Sequence, residues 1–393
     1  MIGAMTLVPL TPIDHLFTGR GAYPIEFVFA FGGRLDAGRL RESLRLALGA
    51  FPPVGSRLVR VAADTLAFEP YEGGCPFRVA ESATGFGETE RRTAFLDPAG
   101  EEPGEPLARA LLTRTPSGDV LGVSISHAVV DGASYFHFLT SWARLFRGEP
   151  FPPPRHAREA LLPAPSAVAA PAGGRGLLPG CGVFRDERRP AVDRNRVRVV
   201  RHHLSRAALV AMHAEAQEGR EVRLSHNDVA AAWLWKRLRE EREEDDPSLD
   251  TYMSCPVDVR RLLPEAGPVY FGCAVALATA SIGRGELGGA SLGELAARVR
   301  RAVASVDADA VRRSLAALER LRRAEGLAAM EECHVVHPRR GLLLTNLSRL
   351  PLADVAFDAG PPVAFDILTP GVRGAVALAA EDGGLDLRVL LPL

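Results

Sequence analysis

Apolar residues along this chain alternate between two spacings, and the switches outline its elements. Glu26 to Phe31, EFVFAF, is a nearly continuous apolar run of strand length and reads as a buried strand. Over Asp36 to Phe51 the apolar positions move to Leu40, Leu44, Ala47 and Leu48, the i, i+4, i+7, i+8 spacing of one helix face. Val120 to Ser126 reads as another strand. Ala133 to Phe146 follows as a helix, with Phe136, Leu139, Trp142, Ala143 and Phe146 on one side. A strand entering a helix through a short turn predicts an α/β layered domain.

Between Pro150 and Gly182 the periodicity gives way to dense proline with Ala and Gly, which predicts a long surface crossover. Beyond it, Val197 to His203 reads as a strand. Ser225 to Glu240 reads as a helix, with Ser225 as N-cap, Asp228 three residues on, and a solvated acidic run, Glu240 to Asp246, at its end. Strand-like Val269 to Ile282, helical Leu292 to Val306, helical Val311 to Glu325 and strand-like Gly341 to Leu344 complete a second α/β unit. No internal repeat is visible. At roughly 150 residues per domain, 393 residues allow two or three domains. The expected organisation is α/β with two similar-sized domains of mixed sheets flanked by helices, spanning 1–150 and 196–393, with 151–195 as crossover.

Composition narrows the partners. Apolar residues make up 47% and charged residues 24%, enough to build sizeable cores. Lys+Arg (47) and Asp+Glu (48) nearly cancel, which argues against a general nucleic-acid binder. Lys236 is the sole lysine, so nearly every Lys-based mechanism is excluded. Met1 to Asp14 has no basic stretch and is interrupted by Pro9 and Pro12, unlike a signal peptide. The uncharged stretches Leu161 to Gly174 and Pro268 to Gly283 contain Pro and Gly and stop short of the roughly 20 apolar residues a bilayer needs. The expectation is a cytoplasmic protein, monomeric, with no membrane partner. Cys75, Cys181, Cys255, Cys273 and Cys333 are odd in number and widely spaced, without a CxxC, so neither a disulfide framework nor a zinc knuckle is expected. Cys333, His334 and His337 cluster but lack a matching second ligand group, so no metal is expected.

The most informative segment is Ser126-His127-Ala128-Val129-Val130-Asp131-Gly132, at the predicted strand-to-helix turn. Here a side chain can leave the sheet and enter a cleft. A histidine with an ordinary pKa near 6.5 is mostly neutral at pH 7 and can act as a general base. Asp131 could cap the following helix or pair with an arginine, and Gly132 permits a tight turn. On these residues alone, a half-buried strand-end histidine and an ordinary N-cap are the better description of the segment.

The wider sequence favours chemistry. His127 to Gly132 matches the HxxxDG motif of the BAHD acyltransferases, which are more distantly similar to chloramphenicol acetyltransferase and peptide-synthetase condensation domains. Leu10-Thr11-Pro12-Ile13-Asp14 resembles that family's S/T-P-x-D, and Leu40 to Leu58 its first helix and following GRL. Leu224 to Trp235 resembles a second-domain helix preceded by Ser or Thr, Val257 to Leu262 a VDxRxRL, and Tyr270 to Ala274 a YFGNA. Thr345 to Val363 resembles the segment that carries DFGWG. The chain departs from the family there: it reads Ala356-Phe357-Asp358-Ala359-Gly360, with Leu347 at a frequent Trp and Cys273 at the Asn, as in a divergent, bacterial-type member.

The resemblance implies the CoA-dependent acyltransferase fold, with a late strand segment crossing to the first domain. It implies an acyl group moved from acyl-CoA to a hydroxyl or amine of a small molecule, in specialised metabolism. His127 would be the general base of a direct ternary mechanism, and Thr345 and Asn346 the oxyanion donors. Asp131 would be structural, paired with Arg260. Arg223 and Ser225, at a helix start, are the place to look for CoA phosphates, with plain helix capping by Ser225 as the equal alternative. No tightly bound cofactor is implied; acyl-CoA is a co-substrate, and an acyl carrier protein or a non-catalytic binding role are the alternatives.

Three other motifs carry less. Gly283 to Gly288 spells GxGxxG, but the helical pattern resumes only near Ser291, so it reads as a flexible loop rather than a dinucleotide site. Gly122 to Ser126 imitates a nucleophile elbow yet lacks the second glycine. His202 and His203 are adjacent on a strand and point to opposite faces.

Overall fold

A computed structural model describes residues 7–89, 92–100, 102–164, 175–178, 182–191, 193, 197–238, 246, 248–369 and 373–392. In its first half run β1 (Pro24–Phe31), α1 (Ala37–Ala50), β2 (Phe77–Glu81), β3 (Ala108–Thr115), β4 (Gly118–Ser126) and α2 (Gly132–Arg147). The second half contains β5 (Val197–Leu204), α3 (Arg206–Gln217), α4 (His226–Arg237), β6 (Asp250–Asp258) and β7 (Val275–Gly283). It continues with α5 (Leu292–Ala304), α6 (Ala308–Glu325), β8 (Gly341–Asn346), β9 (Ala364–Ile367), β10 (Gly374–Ala379) and β11 (Leu385–Pro392).

These strands form two main sheets, ordered β9-β1-β4-β3-β2 and β5-β11-β10-β8-β6-β7. Both are mixed: β2 lies parallel to β3, and β8 lies parallel to β6 and β10, while the other neighbours are antiparallel. β1 is buried along its whole length, which explains its unbroken apolar run. Phe27, Phe29 and Phe31 face one core, and Val28 and Ala30 face another. α1 and α2 cover the first face. Trp142 of α2 is fully buried, and its indole donates to Leu40 O at 3.2 Å and Ser43 Oγ at 3.0 Å. In the second half, α4 and α5 cover one face, with the Trp235 indole donating to Thr251 Oγ1 at 3.1 Å.

The helix starts obey their capping chemistry. Asp36 accepts from Gly38 N and Arg39 N, Asp131 from Ser134 N, and Ser225 forms a reciprocal box with Asp228. The two halves are also joined. β9, from late in the chain, pairs with β1 in register Ala364↔Ala30, completing the first sheet. A third core joins Ile13, Leu16, Phe17 and Ala128 to Val259, Tyr270 and Cys273.

The structure corrects several expectations. The Val269 to Ile282 strand begins only at Val275. Residues before it leave strand geometry because Gly272 has φ +152° and a Cβ there would meet Tyr270 Oη at 2.8 Å. The helix expected to reach Glu240 ends at Arg237, and most of the acidic run lies outside the described residues, as does much of the proline-rich crossover. Gly283 to Gly288 is a helical turn, Arg284–Leu287, rather than a loop. Among the described residues, no helix is long and apolar enough to cross a membrane.

Candidate active site

β4 ends at Ser126 and α2 begins at Gly132, so His127 to Asp131 forms the turn from sheet to helix. Ala128, Val129 and Val130 are fully buried and anchor the turn from behind. This leaves the half-buried His127 facing a channel with about 950 Å³ of empty space, part of it open to solvent. The channel runs between the sheets: Ile25 and Phe27 of β1 face Leu343 and Thr345 of β8, Val376 of β10 and Leu390 of β11. Gly132 also lines it; an added Cβ would sit 3.4 Å from Leu347 Cδ2.

The imidazole is held by aromatic contacts. Phe17 stacks on it with ring centres 3.8 Å apart, and Tyr23 meets it edge-on at 5.6 Å. Burial pushes its pKa down to about 4, against the opposing pull of its own backbone and the Asp131 carboxylate. Nδ1 is buried, and among the described residues no other residue bonds it, so Nε2 is the nitrogen open to the channel. A histidine in this setting is neutral at pH 7 and able to accept a proton.

Asp131 is turned away into a buried network. Arg260 grips it through two nitrogens, Nη1 to Oδ2 at 2.8 Å and Nη2 to Oδ1 at 2.9 Å. Ser134 N and Ala274 N each donate to it at 2.9 Å. Burial works to raise its pKa, but Arg260 and these donors outweigh burial and hold the carboxyl below the usual carboxylate range. Arg260 also donates to Tyr270 O, Gly272 O and Asp258 Oδ1. One ion pair therefore fixes the His127 turn to the second half of the chain. Cys273 is fully buried next to this network.

The other sequence-derived candidates separate. Thr345 lines the channel. Asn346 does not: the strand's alternation turns it to the opposite face, exposed, where Nδ2 donates to Asn227 Oδ1 at 2.8 Å and Oδ1 accepts from Ser348. The structure thus does not bring Asn346 to His127. Ser225 lies outside the channel and is committed to capping α4; Arg300 donates to its Oγ at 2.8 Å and to Asp228 at 2.7 Å. Arg223 is exposed two residues before it. Cys333, His334 and His337 do not converge: Cys333 bonds Ala329 O, His334 bonds Glu187 O, and His337 stacks on Tyr252.

Sequence reasoning missed three groups. Phe17 and Tyr23 carry no motif, and only the fold brings them to His127. Arg158 forms a buried ion pair with Asp14, whose carboxylate also accepts from Thr11 N at 2.8 Å. Burial holds the Asp14 carboxyl above the usual range, with Arg158 working against it. Asp14 stood out in the sequence only through its resemblance to S/T-P-x-D; its distant arginine had no local signal.

A model of the Transferase family matches residues 33–393. This chain belongs to that family, the BAHD acyltransferases. Among its relatives is hydroxycinnamoyl-CoA:5-hydroxyanthranilate N-hydroxycinnamoyltransferase HHT1 of Avena sativa, 28% identical over 389 residues, covering 91% of this chain and 84% of the relative. Among solved structures, F. sporotrichioides TRI101 complexed with coenzyme A and T-2 superposes with a TM-score of 0.73 at 17% identity, covering 98% of this chain and 95% of the other. The first condensation domain of the CDA synthetase shares the fold at a TM-score of 0.60 and 16% identity, over 98% and 90%. This BAHD acyltransferase therefore keeps the two-domain architecture of those enzymes, with the His127 channel between its sheets.

Proposed function

We propose that this acyltransferase moves an acyl group from acyl-CoA to a hydroxyl or amine of a small molecule, with His127 as general base. The observation that carries the reading is a neutral imidazole whose Nε2 opens onto a channel, on a turn locked from behind by Asp131–Arg260. The Avena sativa relative, whose name specifies a hydroxycinnamoyl-CoA donor and an N-acylated acceptor, supports a CoA thioester and a nucleophilic small molecule.

His127 Nε2 accepts the acceptor's proton as its oxygen or nitrogen attacks the thioester carbonyl. The C–O or C–N bond forms, and the carbonyl becomes an oxyanion. Thr345, the remaining side-chain donor of the two expected, lies along the same channel and stabilises that charge. Collapse breaks the C–S bond, and the His127 proton leaves on the CoA thiol. No acyl-enzyme forms, and general-base action supplies roughly 10²–10⁴ in rate. The long apolar walls exclude water that would otherwise hydrolyse the thioester. Asp131 is a positioning residue: bound on both oxygens, it has no lone pair to spare for substrate.

The test is thiol release from a panel of acyl-CoAs, with and without pooled alcohols and amines, followed by product mass. Acceptor-dependent release with a product heavier by the acyl group supports the reading. No release with any acyl-CoA contradicts a CoA donor; transfer from acyl carrier proteins would then support the condensation-domain-like alternative that the shared fold allows.

A further inference from the structure

A second cavity flanks the channel and shares Thr369 and Leu390 with it as wall. It encloses about 1230 Å³ of empty space, part of it open to solvent. Arg92, Arg201 and Arg388 line it, and among the described residues that line it Asp366 is the one acid. Arg201 and Arg388 are direct cross-strand partners on β5 and β11. Like charges in that relation repel.

Asp366 answers only part of this charge. Its Oδ2 accepts from Arg92 Nη1 at 2.9 Å and Arg201 Nη2 at 3.2 Å. Its Oδ1 lies 3.7 Å from Arg388 Nε, too far for a hydrogen bond. The Arg388 side chain is 9% exposed, and among the described residues its buried Nε and Nη1 have no hydrogen-bond partner, nor has the buried Arg92 Nε. Buried guanidinium donors with no acceptor, in a pocket with two positive charges in excess, form a site that lacks an anion. Arg388 also lies two residues along β11 from the channel-wall Leu390, so both side chains project from one face of the sheet.

We propose that this arginine pocket binds the carboxylate of an acceptor acid, placing that acid's hydroxyl or amine in the adjoining channel beside His127. This rests on the acyl-transfer reading above. A planar carboxylate matches the paired donors of a guanidinium, which single-point cations do not offer. A phosphate of CoA is the other source of such an anion, and competition between CoA and the acid distinguishes the two.

The test is calorimetric titration of the full chain with two pairs of probes, benzoate and methyl benzoate, and shikimate and methyl shikimate, with and without CoA. At least one acid is expected to bind about tenfold more tightly than its ester, corresponding to the gain from one charge-assisted pairing. Saturating CoA should leave that preference in place. Arg388→Gln should abolish it. Arg201→Gln, on a side chain that is 63% exposed, should weaken it even if the Arg388 variant misfolds. His127→Ala should leave it unchanged. Equal binding of acid and ester in both pairs, a preference that survives both arginine variants, or displacement of the acids by CoA would each overturn the proposal. Acid binding that behaves as expected, in a chain that releases no thiol from any acyl-CoA, supports the pocket and contradicts the acyl-transfer reading instead.

Discussion

The imidazole of His127 can act as the proposed base only while it stays neutral, and its burial in the turn, stacked against Phe17, keeps it so. With its pKa near 4, kcat/KM should remain level from pH 8 down to about 5 and fall only below that. A pH–rate profile with its acid midpoint near 6.5 would contradict this setting. A second histidine, His15, makes a stability prediction. It is buried, and burial pushes its pKa to about 4, the nearby Arg322 adding to the effect. A native pKa below the unfolded value of about 6.5 means the unfolded chain takes the proton first. The stability is therefore complete above pH 6.5 and lost as pH falls toward 4, by at most about 1.4 kcal/mol per pH unit for this one group. Urea midpoints at pH 7 and pH 5 should differ less in His15→Gln than in wild type. At Asp131, Arg260→Met leaves a buried carboxylate without its counter-charge, which should cost about 3–5 kcal/mol and lower the melting temperature. An unchanged melting temperature would show that the pair is not what fixes the turn. At this scale His127 and Asp131 stand out in a local pattern, while Thr345 is named only through the family resemblance. Asn346 misled because its motif position is right while strand alternation turns it away from the channel. Phe17, Tyr23 and Arg158 were invisible because their partners lie far along the chain.

Elements with a single dominant periodicity were legible, and elements with mixed faces were not. β1 and α2 each bury one continuous apolar surface, and their limits fall within a few residues of expectation. β6, DTYMSCPVD, is laced with polar residues, and β10 and β11 are short or carry arginine and aspartate, so no spacing announces them. The opposite error occurred at Tyr270 to Ala274, where an apolar run looks like strand but folds as the irregular sleeve around Arg260. Gly272→Ala tests that reading: a side chain at φ +152° pressed against Tyr270 should cost about 1–3 kcal/mol. Differential scanning calorimetry checks this, and a loss below about 0.5 kcal/mol would mean the sleeve can relax.

Across the whole molecule, the two halves depend on each other. β9 completes the first sheet from residue 364 onward, Arg260 locks the first half's His127 turn, and a shared core joins Phe17 to Tyr270. The sequence pattern divides the chain cleanly near the proline-rich crossover, yet the physical unit spans that division, because no local spacing reveals a strand that pairs across 334 positions. The intact chain should therefore unfold in one cooperative transition. Residues 1–150 alone, lacking β9 and Arg260, should show no protected core by hydrogen exchange. A fragment with native-like protection would contradict this dependence.

The most direct measurement is the initial rate of acceptor-dependent thiol release by wild type and by His127→Ala, with the same acyl-CoA and acceptor, alongside the melting temperature and CoA affinity of both. A loss of roughly 10²–10⁴ in kcat, with folding and CoA binding retained, is the predicted result. Turnover close to wild type in the folded variant would contradict His127 as the base.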